Sequence, residues 1–407
     1  MKKLWNKSVL FRYFISYVIT LLICFTFLFL CELIPYKWVS KNVVESLNYH
    51  QTEFFNRKLM KNEIYDIGEL SLLEMNFTAD SRQPLKSLVE NNTIKSGAAR
   101  LDNHDTIEVQ EYARYWWGQQ GYERILLIFT DIKGIRIVNA VILAILCVIL
   151  IIKLFKESKE VMLSFILGII VLSYFLMYKS VSFTFVPIIA MIGSIIIIDM
   201  YKKNSKHIGL FFFIIALYTG FFDAITIESL TLSLPLFIYC YLCIRDDKKL
   251  GLLTAVKYFG IWLLGFMIML ASKWLLTVIY YGPEYISYLK AKGSVRVANK
   301  QHENYNNIFE LLGGMSLLLF PFNYFKYGYI VSIVIGIFFL LNFIFFLDKK
   351  KYLPLIFASC VPIIRFTLVF SHAEQLYTFT FRALLPFVMF ILWVCIKQIF
   401  NVFRKDK

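Results

Sequence analysis

Long apolar runs, each closed by a short polar or basic cluster, recur from one end of the 407 residues to the other. At least nine of them approach or exceed the roughly 18 to 20 residues needed to cross a hydrocarbon core, and spans are expected at about 13-34, 136-155, 161-178, 182-200, 208-224, 230-244, 256-280, 327-347, 353-371 and 383-402. The runs are nearly continuous and lack period-2 alternation, so they predict helices rather than barrel strands. The expected fold class is therefore all-α: a polytopic membrane protein with about ten transmembrane helices and a large outer loop between helices 1 and 2. "MKKLWNKSVLFRYFISYVIT" has basic flanks and an apolar core but no small-residue cleavage site, which predicts an uncleaved first helix.

One further segment, "NIFELLGGMSLLLFPF" at 307-322, is apolar enough for a short span. Counting it would throw "DKKK" to the outside, so it is expected to be an interfacial or re-entrant helix on the outer face, broken at Gly313, Gly314 and Pro321. The alternative is eleven spans with the C-terminal half inverted. No linker, low-complexity tract or convincing repeat divides the chain. The simplest division is a single membrane domain, 1-407, with extracytoplasmic loop regions at 35-135 and 281-326.

Within the large loop, "QTEFFNRKLMKNEIYDIGELSLLEM" and "QPLKSLVENN" have helical apolar spacing, while "TIKSGAARLDNHDT" reads as a turn-rich link. The stretch "EYARYWWGQQGYERILLIF" repeats Trp117, Gly121, Arg124 and Ile128, and also Ile125, Phe129 and Ile132, at three- and four-residue intervals. This predicts an amphipathic helix lying on the outer interface and feeding the second span.

Composition settles the solvent. A hydrophobic content of 58%, an aromatic content of 18% and a mean hydropathy of +0.63 exclude a water-soluble globular fold. The net charge of +15 would suit nucleic acid, but the Lys and Arg sit in the blocks "KLFKESKE", "YKKNSKH", "RDDKK", "DKKK" and "FRKDK". That is the positive-inside pattern, and it places both termini in the cytoplasm and excludes a nucleic-acid partner. All seven Cys fall in apolar runs, including the CxxC of Cys240 and Cys243, which has no His nearby. A disulfide or metal framework in the loops is excluded.

Charges at membrane depth need a reason. Asp223 ends an apolar run with Glu228 one turn later: either two solvated loop acids, or a carboxylate serving as base, metal ligand or partner of an Arg. Lys273 lies inside an apolar run beside Trp274 and is expected to be functional or ion-paired. "FSHAEQLYTFTFR" brings His372, Glu374, Tyr377 and Arg382 to one turn. Arg382 either snorkels to the headgroups or holds a phosphate by bidentate bonds, with His372 serving the same anion. The first loop offers Glu32, Asp80 and Arg82. Asp102, His104 and Asp105 of "DNHD" form either a solvated turn or a chelating cluster for Mg or Mn. Trp116, Trp117 and Tyr122 read as an interfacial aromatic belt and as an aromatic wall, between Arg114 and Arg124, which are spaced to grip a phosphate.

The order of "RYWWGQQGYERILLIFTDIKGIRIVN", "GFFDAITIESLTLSLPL", "GIWLLGFMIMLASKW" and "FSHAEQLYTFTFR" resembles a family of bacterial polytopic membrane proteins of unassigned function. That family carries an Arg-Tyr-Trp-His-Gly-Tyr-like block, a Phe-Phe-Asp turn, a Lys-Trp pair and a His-rich turn. The similarity runs from about residue 75 onward. It departs where the His of the first block is Trp117, and where an Asp-Asn-x-Thr-Asp pattern keeps only Asn76, Thr78 and Asp80. The architecture is also similar to the GT-C glycosyltransferases, which take sugar from a polyprenyl-phosphate donor at the outer leaflet. The resemblance implies a bacterial cytoplasmic-membrane enzyme of cell-envelope polysaccharide assembly, with a polyprenyl-phosphate-linked sugar and a glycan acceptor as partners. On that reading Asp80 or Asp223 is the base, and Arg114, Arg124, Lys273, His372 and Arg382 bind the lipid phosphate. A transporter or flippase of lipid-linked glycans, or a scaffold without a site, are the alternatives.

Overall fold

The computed structural model describes residues 7–57, 67–94, 109–223, 225–248, 250–297, 307–319, 328–345 and 347–405. Helix makes up 83% of the described residues, and the strands among them are the two-residue pair β1 (Thr93–Ile94) and β2 (Val109–Gln110), antiparallel, so the fold is all-α. The helices are α1 (Lys7–Glu32), α2 (Tyr36–Arg57), α3 (Ile67–Thr78), α4 (Pro84–Glu90), α5 (Gly118–Leu126), α6 (Ile132–Glu157), α7 (Lys159–Val171), α8 (Val181–Lys202) and α9 (Ile208–Phe222). They continue as α10 (Leu230–Arg245), α11 (Leu252–Tyr281), α12 (Tyr285–Val297), α13 (Ile308–Ser316), α14 (Gly328–Phe345), α15 (Lys349–Leu368), α16 (Phe370–Gln375), α17 (Tyr377–Thr380) and α18 (Leu385–Lys405). A 3-10 turn at Tyr174–Lys179 follows α7.

Among the described residues, six stretches are long and apolar enough to cross a membrane: Ser8–Glu32, Ile132–Glu157, Val181–Lys202, Leu252–Tyr281, Lys349–Leu368 and Tyr377–Val402. The other four expected segments coincide with the shorter helices α7, α9, α10 and α14. Along α6 the side chains of Ile137, Val141, Ile145, Val148, Ile152 and Phe155 stay exposed. Such an aliphatic stripe suits hydrocarbon and would be a liability in water. By contrast α10 is buried along nearly its whole length, ringed by α8, α9, α11, α15 and α18.

The basic blocks meet at one end of the bundle. Lys202 pairs with Glu157 at 2.5 Å, Arg245 with Glu157 at 3.1 Å, and Lys351 with Asp247 at 2.7 Å; Lys248 donates to Asn204 at 2.9 Å. These contacts tie four helix connections together.

At the opposite end the first loop folds into a cap. The helical spacing expected over 51-75 corresponds to the end of α2 and most of α3, and that over 83-92 to α4; α2 begins earlier than expected, at Tyr36, and the first two residues of the link expected to be turn-rich form β1. The segment expected to break at Gly313 and Gly314 instead runs helically through both as α13, whose nine residues are too few to cross a bilayer; Pro321 lies outside the described residues. A hydrogen-bonded ladder on one face of α11 docks the cap. Trp116 Nε1 donates to the Met269 carbonyl (2.8 Å), Lys273 Nζ to the carbonyls of Leu88 (2.7 Å) and Val89 (3.0 Å), Trp274 Nε1 to Arg114 O (3.0 Å), and Thr277 Oγ1 to Ala113 O (3.1 Å). Positions 269, 273 and 277 are spaced four apart, so they share one helix face. Leu88 and Val89 belong to the last turn of α4, where carbonyls lack helical partners and the helix dipole favours a cation.

We predict that Lys273→Met, which leaves these buried carbonyls without their donor, costs about 2 kcal/mol. Thermal unfolding in detergent should fall accordingly, and limited proteolysis should open the cap before the bundle; an unchanged proteolytic pattern would refute the docking role.

Candidate functional site

The stretch around α5 lies inside the protein, which corrects the expectation of a helix on the interface. Trp116 and Trp117 are 2% and 5% exposed, and Gln119, Gln120, Glu123 and Arg124 are all buried, while Ile125 and Phe129 face outward. The helix is amphipathic with its polar side inward, where its polar partners are protein. Glycine permits the approach: a Cβ at Gly121 would stand 2.9 Å from Phe27, and one at Gly118 would strike Phe221. Trp117, at φ +55°, takes a left-handed conformation as the residue before the helix.

The inward face of α5 meets Glu32 and Asn76. Gln120 Nε2 donates to Glu32 Oε1 (2.8 Å), Asn76 Nδ2 to Glu123 Oε2 (2.9 Å), and Arg124 to the carbonyls of Asn76 (3.0 Å) and Ile34 (2.8 Å). Arg124 and Lys273, both 0% exposed, thus spend their charge on backbone carbonyls of the cap. In this structure both side chains tether the cap. Arg114 is half-buried, with its guanidinium 4.4 Å above the Tyr112 ring.

The first turn of α8 joins the remaining candidates. The backbone N–H of Val181 donates to Glu69 (3.3 Å), the Ser182 carbonyl accepts from Gln119 (3.2 Å), Phe183 stacks on Phe379 (centroids 4.6 Å apart), and Phe185 stacks on Phe222 (4.5 Å) and meets Tyr122 edge-on (4.9 Å). Gln119 also donates to the Phe222 carbonyl. Cap, Asp223 turn and Arg382 turn therefore converge on five consecutive residues.

In the 223–229 turn, Asp223 is 2% exposed and accepts from the backbone N–H (3.0 Å) and the hydroxyl of Thr226. Arg365 donates from Nε to Glu228 Oε1 (2.8 Å) and from its NH2 group to the Ile225 carbonyl (2.7 Å). The acids are buried rather than solvated, and Glu228 has an Arg partner. Ile225 is held at φ +64°, which a β-branched residue adopts only under constraint.

Arg382, 3% exposed, lies over the Phe381 ring at 4.5 Å and donates to Thr378 O (3.0 Å). Its carbonyl accepts from the Tyr174 hydroxyl (2.6 Å). Tyr174, Phe175 and Tyr178 also line an apolar cavity of about 350 Å³, completed by Leu143 and Cys147 of α6 and Met191 of α8. His372 and Glu374 are buried on α16, which packs against α12 and the end of α15.

Asp80 stands apart, at the rim of the cap. Its side chain is 35% exposed, and Arg82 holds it through two bonds of 3.0 and 3.1 Å, which keep the carboxyl below its usual range. Asp102, His104 and Asp105 lie outside the described residues, among which no group of three or more His, Cys, Asp and Glu is placed to hold a metal ion.

Two constellations escaped the sequence reading. Arg365 was visible as a charge inside an apolar run, the signal that marked Lys273. The second is a buried triad: His50 Nε2 lies 2.9 Å from Glu69, and Arg136 reaches the same carboxylate from Nε (3.2 Å) and its NH2 group (2.5 Å). Burial pushes the Glu69 carboxyl up, but the bonds from His50 and Arg136 outweigh it and leave it lowered. Comparison with protein-family models, curated proteins and solved structures finds no match for this chain.

A double-mutant cycle should expose the Glu228–Arg365 pair. Glu228→Gln and Arg365→Met alone each cost about 3 kcal/mol because each strands a buried charge, and together they fall short of the sum by more than about 1 kcal/mol. Additive losses in unfolding experiments would show that the two side chains do not depend on each other.

Proposed function

We propose that the chain is a ten-span membrane protein with both termini on the basic side, and that its opposite end transfers a sugar from a polyprenyl-phosphate donor to an outward-facing acceptor. The observation carrying this reading is the apolar cavity of about 350 Å³ that shares Tyr174 with Arg382. It offers an aliphatic chain a seat between α6, α7 and α8, and its Tyr174 hydroxyl donates to the backbone carbonyl of Arg382, the residue whose guanidinium is the phosphate candidate.

On this reading Asp223 replaces Asp80 as the preferred base. Asp223 belongs to the turn held by Arg365 and next to the Phe222–Phe185 stack, whereas the Asp80 carboxylate is committed to Arg82 at the rim of the cap. The acceptor hydroxyl gives its proton to Asp223 as its oxygen bonds to the anomeric carbon. The bond from that carbon to the phosphate oxygen breaks, and Arg382 with His372 steadies the departing lipid phosphate. Glu228 and Arg365 position the Asp223 turn. Arg124 and Lys273 hold the cap, and Trp116, Trp117 and Tyr122 wall it from within. Pumping a lipid-linked glycan across the bilayer would call for polar groups at mid-depth; the buried acids and cations described here cluster at the capped end.

The test is a glycan analysis of host cells lacking the gene and of cells carrying Asp223→Asn or Arg382→Gln, with membrane levels verified. All three should lose one sugar decoration and accumulate its lipid-linked donor. With that donor in vitro, Asp223→Asn should lower the rate by about 10² to 10⁴. An intact glycan in the deletion strain would overturn the proposal.

A further inference from the structure

The basic end of the bundle carries a second site, unrelated to the transfer chemistry above. A cavity of about 460 Å³ opens where α6 gives way to α7 and beside the ends of α10, α15 and α18. Its floor is aromatic: Tyr241 meets Trp393 edge-on at 5.8 Å, and Tyr352 lies 5.2 Å from the same ring. Lys397 projects over both rings, 4.4 Å from the centroid of Tyr352 and 5.0 Å from that of Trp393, and donates to the Tyr352 hydroxyl at 2.5 Å. No carboxylate pairs with Lys397 among the described residues, whereas Arg245, on the opposite wall, is already paired with Glu157 and Asp246. Trp393 is 1% exposed, and its indole Nε1–H has no acceptor. Glu157, Lys159 and Glu160 also line the cavity, with Glu157 paired to Lys202 and Arg245. Lys397 and the indole donor leave room for one more anionic oxygen beside them.

Its position says what kind of oxygen. The lining residues fall at the ends of membrane-length helices: Glu157 is the last residue of α6, Arg245 the last of α10, and Tyr352 lies in the first turn of α15. Tyr and Trp rings with a Lys at this level match the headgroup region of a bilayer. Space of about 460 Å³ admits a phosphate with its glycerol but not a lipid body, whose chains would run outward along the helices. We propose that this cavity binds the phosphate headgroup of an anionic phospholipid, with Lys397 and the Trp393 indole as its anion donors. Basic pockets between helices on the cytoplasmic side are suited to such headgroups. The inference is independent of the transferase reading, since no residue is shared between the two ends.

The test uses the full-length protein in neutral detergent, titrated with short-chain phosphatidylglycerol, with phosphatidylcholine and with inorganic phosphate, and binding is read by native mass spectrometry and thermal shift. Phosphatidylglycerol should bind and stabilise. Lys397→Gln should weaken it roughly tenfold, Lys397→Arg should keep most of the affinity, and Lys206→Gln, an exposed lysine of the same end outside the cavity, should leave it unchanged. Trp393→Phe, which keeps an aromatic ring but removes the donor and part of the buried volume, should lower the unfolding temperature in lipid-free detergent and, measured against that baseline, should also lose part of the stabilisation by phosphatidylglycerol. Equal binding of phosphatidylcholine, an equal effect of inorganic phosphate alone, or full affinity in Lys397→Gln would overturn the assignment.

Discussion

Everything at the capped end depends on how a polar loop satisfies its backbone in surroundings that lack water. The carbonyls of residues 88, 89, 113 and 114 all end on side chains of α11, and those of residues 34 and 76 end on Arg124. Each is a buried acceptor that would cost free energy if left unpaired. Cations at helix C-termini solve this with one side chain for two carbonyls and also meet the helix dipole. The arrangement explains why α11 carries Lys273, Trp274 and Thr277 on its cap-facing side while Leu275 and Ile279 remain exposed.

The same constraint shapes α5. A helix at an interface ordinarily turns its polar side to water; this one turns Gln119, Gln120, Glu123 and Arg124 to the protein and Ile125 outward. The consequence is a buried polar seam that runs from Glu32 through α5 to the first turn of α8. That turn then fixes the Asp223 loop by ring stacking and the Arg382 turn through Phe379. Candidate groups far apart in sequence are thereby held on one frame, and the left-handed Ile225 and Trp117 mark where the frame strains the backbone. A site built this way is preorganised by its supports rather than by its own residues.

The two ends of the bundle illustrate different uses of charge. At the basic end, lysines and arginines sit near solvent in exchangeable pairs such as Lys351–Asp247, each contributing little to stability. At the capped end the pairs are buried, as in Glu69 with Arg136 and Glu228 with Arg365, where removing one partner strands the other. Conformational specificity is concentrated at the capped end.

The helical fold and the placement of its apolar segments were legible in the sequence, because crossing a hydrocarbon core demands a run of apolar residues that no soluble helix needs. Charges inside those runs could be picked out as significant for the same reason, and Asp223, Lys273 and Arg382 were. Their partners were not legible. Lys273 and Arg124 have the chemistry of phosphate ligands, and only the fold shows them bound to carbonyls 184 or 185 and 48 or 90 residues away in sequence. The polar inward face of α5 has the same periodicity as an outward one, since spacing specifies a face and not what it faces. His50, Glu69 and Arg136 carry no joint signature, because a triad closed across 67 residues is created by packing. Local spacing and hydropathy are properties of the chain; which buried charge meets which acceptor is decided when the helices assemble.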